Sequence, residues 1–193
     1  MNLPNKLTSA RLVLTIVFVA VLAIPMAHKF SIAMVLFWIA SFTDFLDGHY
    51  ARKYSLVTTF GKLMDPLADK ILMCSAFVVL CEVGLIPAWI VVVIVGREFL
   101  VTGIRLVATS QGAVLAADNL GKLKTVFQIS TVIYLLLYKA SEEPAFSAFA
   151  PLFEVKVLSP AVLGWILIGL SLLTTVVSGL NYLLNNRELL ADC

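Results

Sequence analysis

The stretch FSIAMVLFWIASFTDFLDGHYAR, residues 30–52, joins two kinds of sequence that rarely occur side by side. Its first part, Phe30–Thr43, carries no charge, and two carboxylates, Asp44 and Asp47, and the guanidinium of Arg52 follow at once. Charged groups at the end of an apolar helix must face protein or water rather than lipid. The stretch therefore predicts a membrane helix that ends in a functional site.

The composition of the whole chain supports a membrane protein. Of the 193 residues, 61% are hydrophobic and 13% are charged, against about 25% charged residues in a soluble domain. Apolar segments that cross lipid are helical, because every backbone polar group must be satisfied within the segment. Six uncharged runs mark the predicted spans: Leu12–His28, Phe30–Thr43, Ile71–Cys81, Val83–Gly96, Thr125–Tyr138 and Val157–Asn186.

The predicted fold is an all-α integral membrane protein with six transmembrane helices in one domain, residues 1–193. No linker, repeat or low-complexity tract divides the chain. The opening MNLPNKLTSAR predicts a short interfacial helix before the first span. Three prolines in the segment 141–160 predict a long connection without continuous helix.

The uncharged parts of the second to fifth spans are only 11 to 14 residues long. A helix of 14 residues covers about 21 Å of a hydrocarbon core that is roughly 30 Å thick. The charged ends of these spans must therefore lie within the membrane, facing protein or water. Ionisable residues at such positions are candidates for a functional site.

The basic residues predict the orientation. With the N-terminus inside, three of the 14 lysines and arginines fall outside, namely Lys29, Lys139 and Lys156. The other eleven fall at the cytoplasmic side: Lys6, Arg11, Arg52, Lys53, Lys62, Lys70, Arg97, Arg105, Lys122, Lys124 and Arg187. This bias predicts a multi-pass protein of the cell membrane whose N-terminus and active site are cytoplasmic. No basic tract indicates a nucleic-acid partner.

Four of the 12 acidic residues fall within 26 positions. Asp44 and Asp47 are three apart, and Asp65 and Asp69 are four apart, so each pair shares one face of a helix. Two adjacent antiparallel helices would bring the four carboxylates together, and their repulsion would require divalent cations. Oxygen ligands favour Mg²⁺, with Mn²⁺ or Ca²⁺ as alternatives.

The plainer alternative is a network of ion pairs with neighbouring cations, namely Arg52, Lys62 and Lys70. Such a network does not account for the regular spacing of the carboxylates.

The residues of this region carry a resemblance to a known family. In every defining position they resemble the signature of the CDP-alcohol phosphotransferases: Asp44-x2-Asp47-Gly48-x2-Ala51-Arg52-x8-Gly61-x3-Asp65-x3-Asp69. The resemblance implies a metal-dependent enzyme that moves a phosphatidyl-type group from a CDP-linked lipid to an alcohol and releases CMP. It also implies a homodimer.

The resemblance assigns roles to individual residues. Asp44, Asp47 and Asp65 would hold two Mg²⁺ ions, with Mn²⁺ as an alternative, and Asp69 would complete the metal site and act as the general base for the acceptor hydroxyl. The implied binding residues for the nucleotide and the CDP-lipid are Asn5, Thr8, Asp47, Gly48, Ala51, Arg52 and Gly61.

Three further segments resemble the phosphatidylglycerophosphate synthase branch of this family. They are NLPNKLTSAR (2–11), GREFLVTGIR (96–105) and GKLKT (121–125). This resemblance implies CDP-diacylglycerol as donor, glycerol 3-phosphate as acceptor and a bacterial-type inner membrane. The acceptor is a dianion, and the cations predicted to bind its phosphate are Arg97, Arg105, Lys122 and Lys124.

Helical geometry distinguishes the two lysines of GKLKT. Lys124 and Gln128 fall within about 60° of Gly121 around a helix, whereas Lys122 lies about 100° away. We therefore predict that Lys124 faces the polar interior with Gln128, while Lys122 extends to the surface. Glu98 is predicted to pair with a nearby arginine.

Other functions remain open from the sequence. Within the family, the acceptor could be phosphatidylglycerol, giving cardiolipin, or inositol phosphate or serine. Membrane prenyltransferases also use aspartates, Mg²⁺ and a pyrophosphate leaving group, but they are longer and lack the Gly-x2-Ala-Arg element. A divalent-cation transporter is the alternative that is not an enzyme, although its site would be expected near the bilayer midplane.

Overall fold

In the part of the chain that the structure describes, the secondary structure is helical, with turns between the helices. This computed structural model describes residues 3–54, 59–110 and 119–187, with side chains over 9–43, 70–106, 108 and 120–187. Within these ranges no strand occurs, as the sequence predicted. The α-helices are α1 (Leu3–Ala23), α2 (Lys29–Tyr54), α3 (Thr59–Glu82), α4 (Ala88–Ser110), α5 (Asn119–Ser141), α6 (Ala150–Glu154) and α7 (Trp165–Asn185).

Short connections join α1 to α2 and α3 to α4. A five-residue turn joins α3 to α4, and it closes α3 with a Schellman motif. The N–H of Gly84 bonds the carbonyl of Cys81 at 2.9 Å, and the N–H of Leu85 bonds that of Leu80 at 3.0 Å. Gly84 has a φ of 80°, in the left-handed region that glycine adopts without steric cost. The glycine therefore lets the chain reverse direction directly after α3.

A carboxylate beyond the end of α5 fixes the start of α2. Glu143 accepts hydrogen bonds from the backbone N–H groups of Phe30 and Ser31 at 2.9 and 2.8 Å, and from the Ser31 hydroxyl at 2.6 Å. These N–H groups belong to the first turn of α2, where no helical partner exists. The start of α2 and the end of α5 therefore lie together, at what we call the Glu143 end of the bundle.

The core lies between α1, α2, α3, α4 and α5. Phe18, Phe37, Phe77, Leu80 and Val132 are each 1% exposed or less. α1 packs against α2 and α3, while α5 packs against α2 and α7. Large apolar side chains also cover the outside, where several are more than half exposed: Ile16, Trp38, Val92, Leu173 and Leu184. Such an outer surface suits a bundle that is surrounded by lipid.

Two helices are long and apolar enough to cross a membrane by length and composition. They are Leu120–Ser141, with 22 residues, and Pro160–Asn185, with 26, and two shorter apolar helices are Ser9–Ala23 and Lys29–Thr43. Only the described residues enter this comparison. The structure thus shows the apolar helices, and the count of six spans stays a prediction.

The structure corrects the prediction of a separate N-terminal helix. Residues 3–23 form the single helix α1, without a break between the opening segment and the apolar run. The physical reason is that Pro4 lies in the first turn, where its missing N–H costs nothing, and no glycine or proline follows it within the helix.

The long connection between α5 and α7 has the irregular character that its prolines predicted. It consists of the 3₁₀ turns Pro144–Phe149 and Lys156–Leu158, the short α6, and one π-helical segment, Pro160–Gly164.

Candidate active site

A polar cavity of about 210 Å³ opens between α3, α4 and α5. It lies near the start of α5, at the opposite end of that helix from Glu143, and we call it the cation cavity. Among the side chains that the structure describes, Glu98 contributes a carboxylate to its wall, together with Val101, Thr102, Gly121 and Thr125. The other lining residues that the structure describes are cations: Lys70, Arg97, Arg105, Lys122 and Lys124.

Glu98 connects two of these cations at the base of the cavity. The Lys124 ammonium donates to Glu98 Oε1, and Arg97 Nη1 lies 3.7 Å from the same oxygen. Glu98 and Lys124 are 8% and 5% exposed. The predicted pairing of Glu98 with an arginine is confirmed, but its closer partner is Lys124, from another helix. A buried carboxylate reduces the repulsion between cations that are held this close.

The two arginines of α4 are held by α7, from outside the cavity lining. Arg97 Nη2 donates to the Ser178 hydroxyl at 2.5 Å. Arg105 Nε donates to the Tyr182 hydroxyl at 3.3 Å, and its guanidinium carbon lies 5.4 Å from the centre of that ring. Both guanidinium groups are therefore oriented by side chains one helical turn apart on α7.

The predicted difference between the two lysines of α5 is confirmed as a difference in burial. Lys124 and Gln128 are 5% and 3% exposed, and Gln128 donates to the Thr175 hydroxyl at 3.2 Å. Lys122 is exposed and lies at the rim of the same cavity. Their roles toward a ligand stay predictions.

The predicted metal site lies entirely outside the described side chains. Asp44 and Asp47 lie in α2, and Asp65 and Asp69 lie in α3, but the side chains are described only up to residue 43 and again from residue 70. The same holds for the predicted nucleotide-binding residues, namely Asn5, Thr8, Gly48, Ala51, Arg52 and Gly61. The described side chains contain no group of three or more potential metal ligands.

The backbone nevertheless places both aspartate pairs at comparable depths. Asp47 lies seven residues before the end of α2, and Asp65 lies six residues after the start of α3. At 1.5 Å per residue these distances along the helices are roughly 10 Å and 9 Å. Both pairs therefore belong to the end of the bundle where α2 is followed by α3.

Lys70 joins the aspartate segment to the cation cavity. It is the residue directly after Asp69 on α3, and its side chain lines the cavity with Arg97 and Lys124. The backbone of the predicted general base therefore lies beside this cavity, whose described lining carries five cations and one carboxylate.

The cavity can hold a small anion. Its volume of about 210 Å³ is below the roughly 300–1,000 Å³ of pockets for drug-sized ligands. Arginine presents a planar set of donors that matches phosphate oxygens, and lysine adds a compact charge. The arrangement suits a phosphorylated molecule with few other atoms.

Several residues of this site were not found from the sequence. The sequence predicts Lys70 as a cytoplasmic cation and, in the ion-pair alternative, as a counter-ion, but not as part of a cavity. Ser178 and Tyr182 lie in the most apolar predicted span, and their spacing of four residues was the signal that could have revealed them. The sequence also did not reveal Arg11 as an interior residue, although it is 1% exposed on the helix that packs against α2 and α3.

Comparison with known proteins agrees with the signature. The profile of the CDP-alcohol phosphatidyltransferase family matches residues 1–179. The chain belongs to this family.

Curated relatives carry a more specific name, CDP-diacylglycerol–glycerol-3-phosphate 3-phosphatidyltransferase. The protein of Bacillus subtilis with this name is 46% identical over 179 residues, which cover 85% of this chain and 92% of the relative. The protein from Rickettsia typhi is 38% identical over 136 residues, covering 70% and 76% of the two chains. The protein from Treponema pallidum is 37% identical over 152 residues, covering 72% and 70%.

Proposed function

We propose that this protein transfers the phosphatidyl group of CDP-diacylglycerol to glycerol 3-phosphate, giving phosphatidylglycerophosphate and CMP. The names of the relatives support both substrates. The observation in the structure that carries the proposal is the cation cavity, because Lys70 connects it directly to the predicted general base. A phosphorylated acceptor is what such a cavity suits.

The acceptor phosphate would lie among Arg97, Arg105, Lys122 and Lys124. With the phosphate bound there, the glycerol hydroxyls would extend toward Asp65 and Asp69 near the start of α3. The carboxylate of Asp69 would accept the proton of the attacking hydroxyl. Holding both substrates in this geometry reduces the entropic cost of bringing them together.

The donor set of Asp44, Asp47, Asp65 and Asp69 consists of carboxylate oxygens, which suits Mg²⁺, with Mn²⁺ as an alternative. Bound there, two such ions would stabilise the charge of the departing CMP phosphate. Asn5, Thr8, Gly48, Ala51, Arg52 and Gly61 would contact the nucleotide and the lipid headgroup. The small side chains among them allow close approach to the helix.

The same proposal includes the architecture. The chain would form a single domain with six membrane spans in the inner membrane, with its N-terminus and the active site on the cytoplasmic side. The exposed apolar side chains around the bundle support contact with lipid. Family resemblance supports a homodimer.

The test measures CMP release by purified protein with CDP-diacylglycerol and Mg²⁺. Glycerol 3-phosphate, phosphatidylglycerol, inositol phosphate and serine are supplied in separate reactions. Of the four acceptors, we expect only glycerol 3-phosphate to support CMP release. Asp69→Asn should lose nearly all activity, because its side chain is similar in size but cannot serve as a base.

Other outcomes of this assay identify the alternatives. CMP release with a different acceptor would contradict the proposal that the cation cavity binds glycerol 3-phosphate. It would still support transfer of the phosphatidyl group from CDP-diacylglycerol. No release with any acceptor, combined with metal uptake into sealed proteoliposomes without CDP-lipid, would indicate the transporter instead.

A further inference from the structure

A stripe of buried polar side chains runs along α7, the most apolar helix of the protein. Its members are Ser171, Thr175, Ser178 and Tyr182, and each is between 0 and 4% exposed. Spacings of four, three and four residues place them on one face of the helix. Buried hydroxyl groups in an apolar helix are costly unless they have partners. Most of this stripe has partners on neighbouring helices.

The partners on α4 are the two arginines of the cation cavity. Ser178 accepts from Arg97 Nη2 at 2.5 Å, and Tyr182 accepts from Arg105 Nε at 3.3 Å. Neither hydroxyl belongs to the cavity lining. Both hydroxyls therefore hold the arginines from outside the cavity.

Gly179 lets the side chain of Arg97 pack closely against the backbone of α7. A Cβ at this position would lie 3.0 Å from Arg97 Cγ, so a larger residue would displace the arginine stem. Arg97 thus rests its aliphatic part on the backbone of α7, while its guanidinium is held between Ser178 and Glu98. An arginine fixed at three points loses less conformational entropy when it binds phosphate than a mobile one would.

We propose that Ser178 and Tyr182 are positioning residues, which hold Arg97 and Arg105 in the orientation that binds the acceptor phosphate. This inference rests on the proposed function, because it takes the cation cavity as the acceptor site. α7 thereby sets the affinity for the acceptor without contacting it.

The test compares Ser178→Ala and Tyr182→Phe with the wild type in steady-state kinetics. We expect Ser178→Ala to raise the KM for glycerol 3-phosphate about tenfold, with the KM for CDP-diacylglycerol and kcat nearly unchanged. The reason is that Arg97, which binds the acceptor phosphate, is no longer held in its binding orientation. Tyr182→Phe keeps the ring beside Arg105, so its effect should be smaller. Ser178→Thr retains the hydroxyl and should restore most of the affinity.

The matched control is Thr175→Val. It removes another buried hydrogen bond between α7 and a neighbouring helix, but that bond joins Gln128 rather than an arginine. Its KM for glycerol 3-phosphate should stay within about twofold of the wild type, whatever it does to the thermal midpoint.

A double-mutant cycle tests whether Ser178 acts through Arg97. In an Arg97→Lys background, Ser178→Ala should raise the KM no further, since the side chain that it positions is already replaced. Full additivity would overturn the proposal, as would equal effects of Ser178→Ala and Thr175→Val. If the wild type releases no CMP with glycerol 3-phosphate, the proposed function fails instead, and the two failures are thereby distinguished.

Discussion

At the scale of single residues, Glu98 is a buried carboxylate that pairs with two cations inside an apolar bundle. Its carboxylate lies between Lys124 of α5 and Arg97 of its own helix. Removing one partner of such a buried pair leaves an uncompensated charge, which is more harmful than replacing both. A substitution that removes Lys124 is therefore combined with one that neutralises Glu98.

Lys124 should contribute more to acceptor binding than Lys122. We expect the double variant Lys124→Ala/Glu98→Gln to raise the KM for glycerol 3-phosphate by about tenfold or more, because a buried charged donor is lost without leaving a carboxylate unpaired. Lys122 lies exposed at the rim of the cavity, where water screens its charge, so Lys122→Ala should raise that KM much less than the double variant does. The measurement is initial rate against glycerol 3-phosphate at fixed CDP-diacylglycerol.

Two observations would contradict this prediction. One is a larger effect of Lys122→Ala than of the double variant. The other is an equal rise in the KM for CDP-diacylglycerol, which would indicate a general distortion of the site. Glu98→Gln alone serves as the control for the carboxylate.

At the scale of helices, the start of α2 depends on a residue 113 positions later in the chain. Glu143 takes the place of a local N-terminal cap, which a helix beginning with Lys29 and Phe30 lacks. A carboxylate at a helix N-terminus is also favoured by the helix dipole. The cap therefore joins α2 to the end of α5 as well as completing the first turn.

Glu143→Ala should lower the free energy of unfolding by about 2 kcal/mol, since it removes hydrogen bonds from a buried charged acceptor. Its neighbour provides the control. Glu142 pairs with Lys139 at 2.9 Å, but its side chain is 48% exposed, so Glu142→Ala should cost at most about 1 kcal/mol. The measurement is the midpoint of thermal unfolding in detergent. Similar midpoints for the two variants would show that the cap contributes no more than a surface pair.

Helical periodicity predicted the faces of α5 but could not predict the contacts of α7. On α5, the angle between Lys122 and Lys124 depends only on helix geometry, so their different burial followed from the sequence. On α7, the role of Ser178 depends on the position of Arg97 in another helix. The distance between Ser178 and Arg97 depends on how α4 and α7 pack, so helical periodicity cannot predict it.

At the scale of the whole molecule, the two ends of the bundle differ in character. The Glu143 end carries the irregular connection with its exposed apolar residues Phe149, Leu152 and Val157. The opposite end carries the cation cavity. This difference supports the proposal that a water-soluble acceptor enters from one side of the membrane.

Cysteine labelling tests the proposed orientation. In a background whose native cysteines, Cys74, Cys81 and Cys193, are replaced by alanine, single cysteines are placed at the exposed positions Ala148 and Lys122. A maleimide that cannot cross membranes should label Ala148→Cys in intact cells, and Lys122→Cys only after permeabilisation. This follows from the excess of basic residues at the cavity end. If intact cells label Lys122→Cys but not Ala148→Cys, the orientation is the reverse of the proposed one.

The sequence by itself determined the apolar, helical character of the chain and the spacing of the four aspartates, and its resemblance to a known family predicted the four cations for the acceptor. These are local properties, because composition and residue spacing fix which segments are apolar helices and which residues share a helix face. Only the tertiary structure decided that Lys70 and the cations of α4 and α5 enclose one cavity, that Glu98 binds Lys124, and that α7 holds both arginines. These contacts join residues far apart in the chain, and they depend on how the helices pack.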